Sequence, residues 1–125
     1  MDALPKVGRY LYAIPMAVFG LLHFMNGSMM AGMVPIPGGV VWVYIVGLAL
    51  IAAAVSILTG KHAVLATRLL GLMLLIFAVS IHLRGVMGGG DGMPAAMTML
   101  LKDTALAGGA FVLSGVLAAE AGSDA

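Results

Sequence analysis

Four apolar stretches, each long enough to cross a lipid bilayer, take up nearly all of this 125-residue chain. A helix rises about 1.5 Å per residue, so about 20 apolar residues cover the hydrocarbon core. The stretches run from about Tyr10 to Met30, Val40 to Thr59, Ala63 to Leu83 and Pro94 to Glu120. In lipid such a run must satisfy its backbone donors and acceptors internally, which a helix does. The expected fold is an all-α membrane protein, one transmembrane domain over residues 1–125 built as a tight antiparallel four-helix bundle.

Composition supports this. The chain is 62% hydrophobic and 9% charged, against about 25% charged in soluble domains, so it lacks the polar surface to face water all round. A net charge of +1 without a basic run gives no footing for a nucleic-acid partner. The absence of Cys excludes disulfides, iron–sulfur clusters, thiolate ligation and covalent haem attachment. The opening MDALPKVGRY resembles the charged start of a secretory signal, but no small-x-small site follows before Asn26. An uncleaved first span is therefore expected.

Basic residues near span ends set the orientation. With the N-terminus inside, Lys6, Arg9, Lys61 and Arg68 fall on the cytoplasmic side, leaving Arg84 outside and Lys102 in the outer half of the fourth span. Both termini should be cytoplasmic. Pro15 is a candidate kink, Trp42 and Tyr44 suit the bilayer interface, and Asp91 can cap a fourth helix carrying Pro94 in its first turn. In the third span, Arg68, Gly71, Leu75, Ala78 and His82 recur at helical spacing and should share a face. In the fourth, Ala105 with Gly109, and Ala110 with Ser114 and Ala118, allow close helix approach. That spacing suits a homo-oligomer too, but packing within the bundle is the favoured reading. His23 precedes Pro35 by the same interval as His82 precedes Pro94, and chance explains this as well as an internal repeat does.

Charge outside the chain ends is concentrated between Phe77 and Asp103. His23, Asn26, His82, Arg84, Lys102 and Asp103 all come out in the outer half of the bilayer or at its surface, from three separate spans. Ionisable groups there are costly and mark function by default, although helices also use them to hold together. His23 and Asn26 should share a face. Lys102 and Asp103 are adjacent, so they diverge by about 100° and should not pair with each other. Asp103 should face inward and meet Arg84 or a histidine, while Lys102 snorkels to the headgroups.

Three ligand chemistries suit these residues. Two neutral histidines, His23 and His82, could ligate a b-type haem. His23, Met25, Met29, Met30 and Met33, with His82 in reserve, form a soft-donor set for Cu(I), although methionine usually fills gaps. A quinone or similar apolar ring fits best, because it enters from lipid, packs on apolar walls and needs polar groups at its oxygens. No phosphate loop, HExxH motif or nucleophile–base pair is present.

The runs VFGLLHFMN, MAGMVPIPGG, WVYIVGLALIAAA, SIHL and LLKDTALAGGA, in this order between about Tyr10 and Gly115, resemble the DoxX family of small bacterial membrane proteins. The chain departs from the family at Arg84, where a proline is expected, and in the GGGDG that follows. The resemblance implies a four-helix protein of the bacterial inner membrane with redox associations, and polar positions at His23, Asn26, His82, Lys102 and Asp103. The resulting expectation is a quinone-linked redox or accessory subunit, with a membrane or soluble redox partner and an outer-leaflet pocket. There His23 and His82 would bond the ring oxygens, Asp103 would orient a histidine and Arg84 would supply positive potential. The alternatives are a non-catalytic scaffold and a haem or copper carrier.

Overall fold

The computed structural model describes residues 3–32 and 37–124. Every regular element among them is helical: α1 (Leu4–Met25), α2 (Gly27–Ala31), α3 (Gly39–Thr59), α4 (Ala63–Phe77), a π-turn (Ala78–His82), α5 (Leu83–Met87) and α6 (Met93–Asp124). The π-turn joins α4 to α5 without a break, so Ala63–Met87 acts as one span. Four helices are long and apolar enough to cross a membrane. Their outward side chains fit lipid, since Leu11, Leu48, Val55, Leu65, Val79 and Val112 are all exposed, an apolar surface of a kind that monomeric soluble proteins rarely present to water.

The spans alternate in direction. α1 packs along α3, α4 along α6, and α3 along α4. At the end holding both termini, Arg9 closes the ring. Its Nε–H donates to the Ile57 carbonyl at 2.8 Å and an Nη1–H to Glu120 Oε2 at 2.9 Å, tying α1 to α3 and α6. One of the α3 carbonyls left open at the helix end is thereby satisfied. The turn to α4 uses left-handed backbone at Gly60 (φ 79°) and His62 (φ 55°), which glycine adopts freely and histidine only at some cost.

Inward-facing residues recur at alternating steps of three and four. On α3 these are Val43, Gly47, Leu50, Ala54 and Ile57; on α6, Asp103, Ala107, Ala110, Ser114 and Leu117. Such a rhythm keeps one seam of each helix against its neighbours. Small residues on the seam let backbones meet: a Cβ on Gly20 would lie 2.6 Å from the Gly47 carbonyl oxygen.

Several expectations need correction. The first span runs from Leu4 to Met25 rather than from Tyr10 to Met30, because Asn26 (φ −119°, ψ 26°) breaks the helix before the short α2. Pro15 stays inside α1 without ending it. Arg68 is exposed and Leu75 half-buried, so the inward face of the third span is Thr67, Leu70, Gly71, Leu74, Ala78 and His82. A charged side chain on α4 escapes the seam rather than ending it. Ala105 and Ala118 face outward, whereas Ala110 and Ser114 pack inside the bundle. Asp91 is exposed and does not cap α6. The helix begins at Met93, and the Gly92 carbonyl accepts the Ala96 N–H at 3.0 Å. Met33 and Pro35 lie outside the described residues, and with Pro35 the far end of the interval that begins at His23.

Candidate functional site

The half of the bundle away from the termini does not close. A cavity of about 490 Å³ opens between all four spans, walled by Phe19 of α1, Val46 of α3, Leu74 and Phe77 of α4 and Leu106 of α6. Its polar side chains are His23, Ser80, His82, Lys102 and Asp103. The walls are otherwise apolar, as sites for lipophilic rings are.

Two of these groups form one unit. His82 and Asp103 are both buried, and the His82 Nε2–H donates to Asp103 Oδ2 at 2.9 Å. The inward-facing carboxylate expected at position 103 thus meets a histidine and not Arg84. Backbone geometry makes this contact. The buried residues of this span step from Ala63 to Thr67, then Leu70 with Gly71, Leu74 and, opening the π-turn, Ala78, and an undisturbed α-helical rhythm from Ala63 would next present Ile81. His82 arrives one residue late. The π-turn over Ala78–His82 takes up that extra residue with its wider i→i+5 turn, rotating His82 back onto the seam. Ser80 Oγ–H donates to the Ile76 carbonyl at 2.6 Å within this segment.

His23 reaches the cavity from α1. Its Nδ1–H donates to the Phe19 carbonyl one turn earlier at 2.6 Å, so this nitrogen carries the proton. Gly47 opposite makes room, since a Cβ there would lie 2.9 Å from His23 Cβ. Each histidine therefore has one nitrogen committed to the protein. The other nitrogens, Nε2 of His23 and Nδ1 of His82, have no hydrogen-bond partner among the described residues. Among the described residues no fully enclosed side-chain nitrogen or oxygen lacks a partner, so neither nitrogen is sealed off completely.

Lys102 corrects the sequence reading. Its Nζ lies 3.8 Å from Asp103 Oδ1 and 5.2 Å from the centre of the Phe19 ring. The long stem folds back over the cavity wall, which the Cα directions of adjacent residues do not reveal. At 3.8 Å the pair attracts as charges without a hydrogen bond. The contact over Phe19 is a cation–π arrangement.

The remaining candidates lie elsewhere. Arg84 is exposed on α5, forms no ion pair among the described residues and does not line the cavity. Two residues past His82, it is carried about 200° around the helix. Asn26 is also off the wall: the break in α1 falls at Asn26 itself, and its Nδ2–H donates to the Leu22 carbonyl at 3.1 Å. Met25 and Met29 are exposed, and of the described methionines in that set only Met30 joins His23 at the cavity. For a haem, His82 would have only Nδ1 to offer, because Nε2 is held by Asp103.

Sequence reasoning missed the aromatic wall. Phe19 stands one turn before His23, so helical spacing could have found it. Trp42, a residue suited to the bilayer interface, also lines the cavity, and its Nε1–H donates to the Pro37 carbonyl at 2.7 Å. Phe77 precedes His82 by five residues, and only the π-turn brings both to one wall. Comparison of the chain with known families, curated proteins and solved structures finds no match.

Proposed function

We propose that this chain is a DoxX-like protein of the bacterial inner membrane, with both termini cytoplasmic, that holds a quinone-like ring in its outer-leaflet cavity as a quinone-linked redox or accessory subunit. The observation that carries the reading is the buried His82–Asp103 pair set in the wall of an otherwise apolar cavity of about 490 Å³. A lipophilic ring enters such a space from the bilayer, packs on Phe19 and Phe77, and needs polar partners only at its oxygens. His82 and His23 are those partners, and Asp103 orients His82 through Nε2. Arg84 has no part in it.

Trp42 is the sole tryptophan and stands in the cavity wall, so the protein carries its own reporter. Titration of purified protein in nanodiscs with decylubiquinone and a short-chain menaquinone should quench Trp42 fluorescence saturably, and His82→Ala should abolish saturation. Absence of saturable quenching with several quinones would sink the reading.

The rival reading is a non-catalytic scaffold. The bond that favours it is the same one, because His82 and Asp103 join the third and fourth spans whether or not a ligand is present.

A further inference from the structure

Lys102 is a cavity donor that the protein leaves unused. Among the described residues its ammonium makes no hydrogen bond: Asp103 Oδ1 is 3.8 Å away, and Asp103 Oδ2 takes the His82 Nε2–H. Each other donor side chain in the wall has spent an N–H or O–H on the protein. Ser80 gives its hydroxyl proton to the Ile76 carbonyl, Trp42 its indole N–H to the Pro37 carbonyl, and His23 its Nδ1–H to the Phe19 carbonyl.

This ammonium is also placed to meet a ligand. The Lys102 side chain is 48% exposed and its Nζ lies over the Phe19 ring, so it reaches from α6 to α1 beside the cavity. Those two helices do not pack along one another; nearer the termini, the Arg9–Glu120 pair and the Tyr12 hydroxyl bond to the Leu106 carbonyl join them. Lys102 stands nine residues past the start of α6, about 13 Å along its axis. A charged group at such depth in a bilayer is costly without a partner. The neighbouring carboxylate decides which partner suits it. An anion bonded to Nζ would also lie close to Asp103, and only a protonated His82 would offset that repulsion. A neutral carbonyl oxygen meets no such penalty, and takes a charge-assisted hydrogen bond in either protonation state of His82.

We infer that Lys102 is the specificity-determining residue of the cavity: its Nζ–H donates to a neutral ring carbonyl, selecting a carbonyl-bearing apolar ring over the same ring without that oxygen and over an anionic amphiphile. Phe19 and Asp103 hold the ammonium in place for this contact. The inference rests on the quinone-like reading and names the donor that recognises the ligand and the oxygen it recognises.

Three probes separate the cases: 2-decyl-1,4-naphthoquinone, 2-decylnaphthalene, which keeps the ring and tail and loses both carbonyls, and laurate as the anion. Calorimetric titration of the intact protein in nanodiscs, corrected for partition into protein-free nanodiscs, should give the naphthoquinone about tenfold or greater advantage over each of the others, the worth of a hydrogen bond to a charged donor. Lys102→Met keeps an unbranched side chain over Phe19 and loses the donor. It should erase most of the advantage over decylnaphthalene while leaving decylnaphthalene binding unchanged, and Lys102→Arg should restore part of it. Equal naphthoquinone affinity in Lys102→Met and the unaltered protein overturns the role of Lys102 and leaves quinone binding standing. Laurate binding more tightly than the naphthoquinone overturns the preference for a neutral oxygen. Binding of neither ring overturns the quinone-like reading as well. If Lys102→Met fails to fold, the carbonyl stretch of the bound naphthoquinone decides: it should lie below its frequency in protein-free nanodiscs and shift in Lys102→Arg, and a band unmoved by that substitution overturns the assignment.

Discussion

Gly47 keeps open the space that the His23 side chain occupies: a methyl group in its place would sit 2.9 Å from His23 Cβ and as close to the Gly20 carbonyl oxygen. The site is thus set by how closely α1 and α3 approach.

Gly47→Ala should therefore lower thermal stability in detergent by about 1–3 kcal/mol, the usual cost of overpacking, and weaken ligand binding by displacing His23. Gly108→Ala is the control, because nothing lies within 4 Å of a Cβ there. It should be neutral or stabilise by up to about 1 kcal/mol from helix propensity. Equal melting temperatures for the two variants would mean that the close approach is not real.

Removing one partner of a buried polar pair costs more than replacing both. Asp103→Leu should destabilise by about 2–4 kcal/mol, because it strands the His82 Nε2–H, whereas His82→Leu with Asp103→Leu should recover much of that loss. A folded double variant also separates the two functional readings. Quinone-dependent Trp42 quenching that survives in it would favour the scaffold.

Arg9 and Glu120 are partly exposed, so their ion pair should contribute no more than about 1 kcal/mol and fade in high salt. Glu120→Ala should be correspondingly mild. Arg9→Ala should cost about 2 kcal/mol, since the Ile57 carbonyl loses its charged donor as well. Denaturation at low and high salt checks both; equal losses for the two variants would contradict the role given to Ile57.

His62 occupies left-handed backbone at φ 55°. His62→Gly should raise stability by up to about 1 kcal/mol, and His62→Val should lower it by a similar amount or more. A stabilising valine would argue against this turn geometry.

Because the chain has no cysteine, single cysteines can report orientation. With both termini cytoplasmic, a membrane-impermeant maleimide added to intact spheroplasts should label Asp91→Cys and spare His62→Cys until the cells are opened. The reverse pattern would invert the proposed topology.

By itself the sequence determined the membrane class, the four spans and the presence of scarce polar groups in the lipid-facing stretches. Hydrophobic length and charge are local quantities, and no distant contact is needed to read them. It also pointed inward for Asp103, since a carboxylate deep in an apolar span must find a partner. Tertiary structure alone decided which partner. Arg84 and His82 are two residues apart and equally plausible on paper, yet a single π-turn turns His82 onto the seam and leaves Arg84 outside. Nothing in AVSIH announces that turn, because an extra residue in a helical rhythm is visible only once the buried seam is known. Asn26 was lost for a similar reason: its place beside His23 assumed an unbroken helix, and the break falls at Asn26 itself. Lys102 escaped because a long side chain settles by what it finds across the bundle, here Phe19 and Asp103, and not by the direction of its own Cα.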